Sequence, residues 1–257
     1  MVVEFGNLPY FVPMLLVTAL CLAGHYFLRN KSYKTKYWTL FGVLIFNAIL
    51  HFMKFLYVPD KYDSFDIIVR SISLENVCSV SSVLFPIIYL SKQSMFKNGM
   101  VYLGIISGII SFLYPTEALG KDLFSIDIIR FYLQHGIVWV VPVLMLSLDL
   151  HSLRFKELHH VLSYTILVFA FIYTSQAIVY GSVNYGGILP VDKLTNNSFQ
   201  WTITKELGDF VYVMLTWASP PIIRNYPFIS VLPSILIYFT FFSMIVFFIY
   251  KKSKTKK

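Results

Sequence analysis

The chain has 257 residues, of which 57% are hydrophobic and 13% are charged. Soluble domains carry about 25% charged residues, so this composition excludes an ordinary water-soluble protein. The formal net charge of +8 raises the question of a nucleic-acid partner, but the arginines are scattered and form no basic, aromatic surface. We therefore predict a polytopic membrane protein that does not bind nucleic acid.

Apolar segments of about 20 residues, the length that a helix needs to cross a bilayer, recur along the chain. They lie near 10–28, 38–57, 71–91, 99–115, 127–148, 159–181 and 231–250. Glu4 stands where a secretory signal would be basic, and no small-residue cleavage site precedes Arg29. We therefore expect the first segment to stay in the mature protein. The predicted fold class is all-α: one transmembrane helical bundle of about seven spans over residues 1–257.

The basic residues predict the orientation of the bundle, because lysine and arginine accumulate in cytoplasmic loops. They cluster after the first, third and fifth segments: Arg29, Lys31, Lys34, Lys36, Lys92, Lys97, Arg154 and Lys156. The tail 251–257 is also rich in lysine. We predict that the N-terminus lies outside, that the C-terminus is cytoplasmic, and that the tail lies on anionic lipid headgroups. In a bacterium this membrane would be the cell membrane.

The long connection 182–229 is predicted to be an outer loop. It contains the turn signals Gly186-Gly187 and Pro220-Pro221, and a helical pattern from about Thr204 to Trp217. An interfacial or re-entrant helix and an ordered loop are both compatible with this pattern.

Polar side chains inside the segments are costly unless they face the bundle interior, a partner or water. Four segments carry such residues at helical spacing. The stripes are Asn47, His51 and Lys54; Ser71, Glu75, Cys78 and Ser82, flanked by Asn76 and Ser79; Tyr132, His135 and Trp139; and Tyr173, Gln176, Tyr180 and Asn184. In the predicted orientation all four stripes fall in the outer half of the membrane. We expect them to converge on one polar pocket.

Cys78 and His135 are the pocket residues that suit nucleophilic acyl transfer. In that chemistry a thiolate attacks a carbonyl, an imidazole takes and returns the proton, and nearby donors hold the oxyanion. A thiol in apolar surroundings is inert without a base, and His135 lies at a similar predicted depth. Candidates for binding the substrate or polarising its carbonyl are Asn47, His51, Asn76, Gln176, Tyr180 and Asn184.

These residues also have structural interpretations. A cysteine in a transmembrane helix is usually a small packing residue, which is our interpretation of Cys21. Membrane histidines and amides often hydrogen-bond to a neighbouring helix. A metal site from His51, Glu75 and His135 has no dense ligand motif behind it, so we predict neither a metal nor a cofactor. The histidines of the fifth loop, His151, His159 and His160, are expected to be solvated.

The middle of the chain carries four short motifs in a fixed order. They are Leu74-Glu75-Asn76-Val77-Cys78, Phe112-Leu113-Tyr114-Pro115, Phe131-Tyr132-Leu133-Gln134-His135-Gly136 and Asn184-Tyr185-Gly186-Gly187. Over about 71–190 their order and spacing resemble the YwaF-type family of bacterial integral membrane proteins and its animal relatives, the transmembrane protein 164 acyltransferases. The animal members are linked to moving acyl chains between phospholipids.

This resemblance implies a membrane fold of six or seven helices, with a cysteine nucleophile and a histidine partner. These roles fall on Cys78 and His135 by position in the motifs. Many bacterial relatives have a histidine two positions before the cysteine, where this chain has Asn76. The role of that position is therefore left open.

The leading hypothesis is a membrane-embedded, cysteine-dependent acyltransferase or lipid esterase that acts on phospholipid acyl chains through Cys78 and His135. Membrane lipids are then both substrate and solvent. The alternative is a transporter or small-molecule binding protein, in which Lys54, Glu75 and His135 pair or relay protons. A purely structural protein is a third possibility, and would need the pocket residues only for stability.

Overall fold

The computed structural model describes residues 1–57, 68–69, 72–74, 76–182, 185–186, 209–223 and 229–255. The helices of this part of the chain are α1 (Leu8–Leu28), α2 (Tyr33–Phe52), α3 (Lys54–Tyr57), α4 (Val77–Leu90), α5 (Ser94–Leu113), α6 (Ile126–Ser147), α7 (His159–Tyr180), α8 (Asp209–Thr216) and α9 (Leu232–Lys254). A two-residue antiparallel pairing joins β1 (Gly181–Ser182) and β2 (Tyr185–Gly186). The predicted all-helical class is confirmed.

Within the described residues, five helical stretches are long and apolar enough to cross a membrane. They are Leu8–Leu28, Ser94–Leu113, Ile126–Ser147, Phe155–Val179 and Leu232–Lys254. α2 has 20 residues, but its lysines and buried polar residues lower its hydropathy. α4 has 14 residues, fewer than the roughly 20 that a perpendicular span requires. A count of about seven spans and the orientation of the termini stay predictions.

α4 begins later than the predicted segment 71–91. Asn76 caps the helix: its Oδ1 accepts a hydrogen bond from the Ser79 N–H at 2.8 Å, and Ser79 Oγ accepts one from the Asn76 N–H at 3.1 Å. This capping box satisfies backbone donors that the first turn leaves without partners. The expectation of one continuous helix from residue 71 is therefore wrong at its start, and Cys78 is the second residue of α4.

α5 and α6 form the centre of the bundle and approach each other at two glycines spaced four residues apart. A Cβ atom on Gly104 would lie 2.7 Å from the Val138 carbonyl oxygen, and one on Gly108 would lie 2.5 Å from the Trp139 Cβ. Small residues at this spacing let membrane helices pack backbone against backbone. The buried core continues from this contact to α2, α4 and α7.

Contacts between helix ends define the two ends of the bundle. At one end, the Val3 N–H donates to the Lys121 carbonyl at 2.9 Å, which ties the residues before α1 to those before α6. At the other end, α1 and α6 are joined by His25 Nδ1 and Ser147 Oγ at 3.1 Å, and Lys254 forms an ion pair with Asp149. We call this second end, where α1, α6 and α9 finish, the basic end.

The predicted loop 182–229 is described only in part. α8 lies inside the helical pattern predicted for 204–217, and the next residue, Trp217, donates from its indole Nε1 to the Tyr238 hydroxyl at 2.7 Å. This bond ties the end of α8 to α9. Of the turn signals named for this loop, Gly186 and Pro220-Pro221 are described, and Gly187 lies outside the described residues.

Candidate active site

A small polar cavity lies at the end opposite the basic end, between the starts of α4 and α6. Its lining comes from α2, α3, α4, α6, the cap residue of α4 and the turn after α5: His51, Lys54, Asn76, Cys78, Ser79, Ser82, Glu117, Arg130, Gln134, His135 and Val138. The volume is about 40 Å³, which leaves room for a few water molecules or one small functional group. Polar residues of the second, third and fifth predicted segments therefore meet at one place.

Cys78 enters the cavity from the first turn of α4. Its Sγ lies 3.6 Å from Ser111 Oγ on α5, and the Ser111 hydroxyl donates its own hydrogen to the Ser107 carbonyl at 2.9 Å. The N–H groups of Val77 and Cys78 stand in the first helical turn, where the helix offers no acceptor. These donors and the positive end of the helix dipole suit a negatively charged group beside Cys78.

His135 enters the cavity from α6, and its tautomer follows from its hydrogen bond. Its Nδ1 lies 2.7 Å from the Phe131 carbonyl oxygen one turn earlier. Because a carbonyl oxygen only accepts, Nδ1 carries the hydrogen and Nε2 keeps the lone pair. The imidazole of His135 and the thiol of Cys78 both line this cavity. The hydrogen bond of Nδ1 leaves Nε2 as the nitrogen that can accept a proton.

Gln134 lines the cavity beside His135 and is held by a buried charge. Arg130 is 9% exposed; its Nη2 donates to Asp127 Oδ1 at 2.7 Å, and its Nη1 donates to Gln134 Oε1. Because the Gln134 Oε1 atom accepts from Arg130, the group that remains available is the amide donor Nε2. This donor is buried and has no acceptor among the described residues. An unpaired buried donor costs about 1–3 kcal/mol, so Gln134 Nε2 marks a place for an acceptor oxygen.

A model of one protein family matches residues 5–244. The chain belongs to the TMEM164 family. The match covers nearly the whole chain and confirms at family level the resemblance carried by the motifs of its middle. As a TMEM164-family chain with several apolar helices of membrane-spanning length, it is an integral membrane protein. The relation to YwaF-type proteins stays a prediction, and no curated protein or solved structure matches the chain.

The other predicted site residues of this TMEM164-family chain divide into two groups. Asn76 and His51 line the cavity; Asn76 is occupied by the helix cap, and His51 Nε2 donates to the Ile72 carbonyl at 3.3 Å. Asn47 and Gln176 are buried but do not belong to the described lining, and Asn47 Nδ2 donates to Ser82 Oγ at 3.1 Å. The Tyr180 side chain and all of Asn184 lie outside the described residues.

Sequence reasoning assigned no role to several residues of the cavity. Arg130 carried a usable signal, because a charged residue inside a predicted span, three positions after Asp127 and four before Gln134, indicates a buried network. Glu117 carried none, because it lies in the turn after α5 and only the packing of the helices brings it to the cavity. The same holds for Ser111, which lies beside Cys78 without lining the cavity.

A second polar cluster lies at the basic end and corrects one expectation. Asn98 is buried; its Oδ1 lies 2.7 Å from His151 Nε2, and its Nδ2 lies 3.0 Å from Glu157 Oε2 and 3.1 Å from His160 Nδ1. His151 and His160 are therefore not simply solvated. In the part of the chain that the structure describes, no three His, Cys, Asp or Glu residues are arranged to hold a metal ion.

Proposed function

We propose that the chain is a membrane-embedded, cysteine-dependent acyltransferase or lipid esterase that acts on phospholipid acyl chains, in the cell membrane if the source is bacterial. The observation that supports this function best is that the Cys78 thiol and the His135 imidazole line the same small polar cavity. A nucleophile that faces a correctly protonated base is the minimum requirement of covalent acyl transfer.

In the proposed reaction, His135 Nε2 takes the proton of the Cys78 thiol as Sγ attacks the ester carbonyl carbon. The carbonyl π electrons move to the oxygen, giving a tetrahedral oxyanion. The oxyanion collapses, the bond to the lysolipid oxygen breaks, and that oxygen takes the proton from His135. The resulting thioester on Cys78 then passes its acyl group to a lysolipid hydroxyl or to water, which His135 activates by the same proton transfer.

We assign the oxyanion to Gln134 Nε2 and to the backbone N–H groups at the start of α4. Gln134 is favoured over His51 and Asn47, because His51 Nε2 and Asn47 Nδ2 already donate to the Ile72 carbonyl and to Ser82 Oγ. Arg130 then acts as a positioning residue, since it holds the amide oxygen and so fixes the direction of the amide nitrogen. The cavity admits only the ester group, and the acyl chains stay in the surrounding lipid.

A thiol-directed acyl probe tests the proposal in the full-length protein in lipid nanodiscs. The wild type should form a hydroxylamine-sensitive adduct, and Cys78→Ala should not. Cys21→Ala is the matched control, because Cys21 lies on α1 and does not line the cavity among its described residues. His135→Gln should lower the labelling rate by about 10²-fold or more, the usual effect of losing a general base. Equal labelling of the two cysteine variants would overturn the proposal.

A related variant distinguishes the acyltransferase from the alternative, a transporter or small-molecule binding protein that uses the charged residues of the cavity. Lys54, Glu117 and Arg130 bring charges of both signs to this cavity, as a solute or proton path would need. That function would survive Cys78→Ser, whereas an acyltransferase would lose most of its turnover with this variant.

A further inference from the structure

An apolar groove runs along the side of the bundle between α5, α6 and α9, and α1 contributes His25 to its lining. Its volume is about 590 Å³, within the range of about 300–1,000 Å³ that is typical of ligand sites. The groove shares no lining residue with the Cys78 cavity. Its walls are aliphatic and aromatic over most of their length, for example at Ile109, Leu146, Phe242 and Ile245.

The polar lining residues of the groove gather at its mouth, at the basic end. They are His25, Ser147, Tyr250, Ser253 and Lys254, from the last turns of α1, α6 and α9. Lys254 pairs with Asp149, which keeps its ammonium group at the mouth. Lys251 and Lys252 are exposed in the same turn, and Arg29 follows α1 directly. Positive charge therefore exceeds negative charge around the mouth.

The dimensions and the charge of the groove together indicate its ligand. From Phe242 to Lys254 the α9 wall rises about 18 Å at roughly 1.5 Å per residue, slightly more than half of a hydrocarbon core of about 30 Å. On α5 the lining extends to Leu113, the last residue of that helix. An apolar channel at least one leaflet deep with a cationic mouth matches an acyl chain below an anionic headgroup. A partner helix is a poorer fit, because helix pairs in membranes approach through small residues, and this channel is lined by Ile, Leu and Phe.

We propose that this groove is a binding site for one acyl chain of an anionic phospholipid from the leaflet at the basic end, with the phosphate beside Lys254. The site is separate from the proposed chemistry, since the groove and the Cys78 cavity share no lining residue. It also differs from simple attraction of the lysine tail to a charged surface, because it requires the chain to enter the groove.

Photo-crosslinking tests the site in the full-length protein, in phosphatidylcholine nanodiscs that contain a trace of lipid with a diazirine at the end of one acyl chain. Phosphatidylglycerol carrying the diazirine should crosslink to peptides of α5 and α9 about tenfold more than phosphatidylcholine carrying it, which corresponds to about 1.4 kcal/mol. Unlabelled phosphatidylglycerol should compete with the probe and raise the Tm of the wild type.

Variants distinguish crosslinking inside the groove from crosslinking by lipid that merely surrounds the protein. Ile109→Trp together with Ile245→Trp fills the groove and should remove most of the crosslinking and the Tm increase. Ile178→Trp is the control, because Ile178 is 61% exposed on α7 and lies outside the groove, so it should change neither. Replacing Lys251, Lys252 and Lys254 by Gln should abolish the preference for phosphatidylglycerol while chain crosslinking persists.

Three results would overturn the site: equal crosslinking of both lipids to the wild type, equally strong labelling of the exposed face of α7, or crosslinks that persist in the double tryptophan variant. Cys78→Ala should crosslink like the wild type. The groove can therefore fail this test while the acyl-transfer proposal stands, and the reverse also holds.

Discussion

At the scale of single residues, Gln134 and His135 show how far the sequence leads. The chain has two cysteines, and only Cys78 shares a predicted depth with His135, so this pair could be proposed from the sequence. Gln134 could not, because neighbouring residues on a helix point about 100° apart and only one of them was expected to face the pocket. In the structure both residues line the cavity.

Gln134→Leu keeps most of the side-chain volume and removes the amide donor. If Gln134 Nε2 binds the oxyanion, the single-turnover acylation rate of Cys78 should fall by about 10²–10³-fold, the cost of losing one such donor, with little change in substrate binding. Stopped-time labelling with the acyl probe at several concentrations gives both quantities. Gln93→Leu, an exposed change before α5, is the control and should acylate normally. If Gln134→Leu were acylated at the wild-type rate, the oxyanion would be bound by another donor.

At the scale of helices, the start of α4 is the main difference from the sequence prediction. The helix was predicted to continue across Asn76 because four polar residues match the helical period: Ser71, Glu75, Cys78 and Ser82. The competing signal was local: an asparagine followed three positions later by a serine, which forms a capping box. Periodicity cannot reveal where a helix begins, because a cap is selected by the free backbone donors of the first turn and not by the helix face on which the residue lies.

Asn76→Ala removes the cap and should loosen the turn that carries Cys78. We expect a loss of about 1 kcal/mol in the free energy of unfolding and a fall of about tenfold or more in Cys78 acylation, because small displacements of a nucleophile are costly. Asn7→Ala is the matched control: Asn7 caps α1 by accepting from the Tyr10 N–H at 3.0 Å.

The Asn7 variant should lose similar stability and keep its acylation rate, and Asn76→Asp, which retains a capping oxygen, should restore both properties. The positioning role of the cap would be excluded if Asn7→Ala and Asn76→Ala slowed Cys78 acylation equally.

At the scale of the whole molecule, composition was enough to predict a helical membrane protein, and the positions of its long helices followed from apolar length. The packing of those helices was not predictable from one sequence. His151 illustrates the reason: its loop looks polar, yet the folded chain brings its Nε2 to the buried side chain of Asn98, which lies far earlier in the sequence.

His151 lies after the end of α6, and its environment predicts a pH dependence of stability. Burial, helped by the positive charge of Lys97 and opposed by the carboxylate of Glu157, lowers the pKa of His151 from 6.5 to about 4. Between those values the unfolded chain binds a proton that the folded chain does not, so stability falls as the pH drops from about 6.5 towards 4 and is unaffected above this window. The loss is at most about 3 kcal/mol.

Thermal unfolding at about pH 7.5 and about pH 5 measures this effect. His151→Gln should show a smaller decrease in Tm between the two conditions than the wild type. His159→Gln changes an exposed neighbour and should behave like the wild type. If His151→Gln lost as much Tm as the wild type, the proton uptake would belong to another group.

The contact between Gly104 and Val138 has a consequence for redesign of the cavity. Gly104 of α5 packs against the carbonyl oxygen of Val138 on α6, and Val138 also lines the cavity. The backbone of this residue therefore helps to set the spacing of the two central helices, while its fully buried side chain borders both the core and the cavity. Val138→Ala would widen the cavity and leave this backbone contact in place, so position 138 is where the range of esters accepted by the proposed site could be altered.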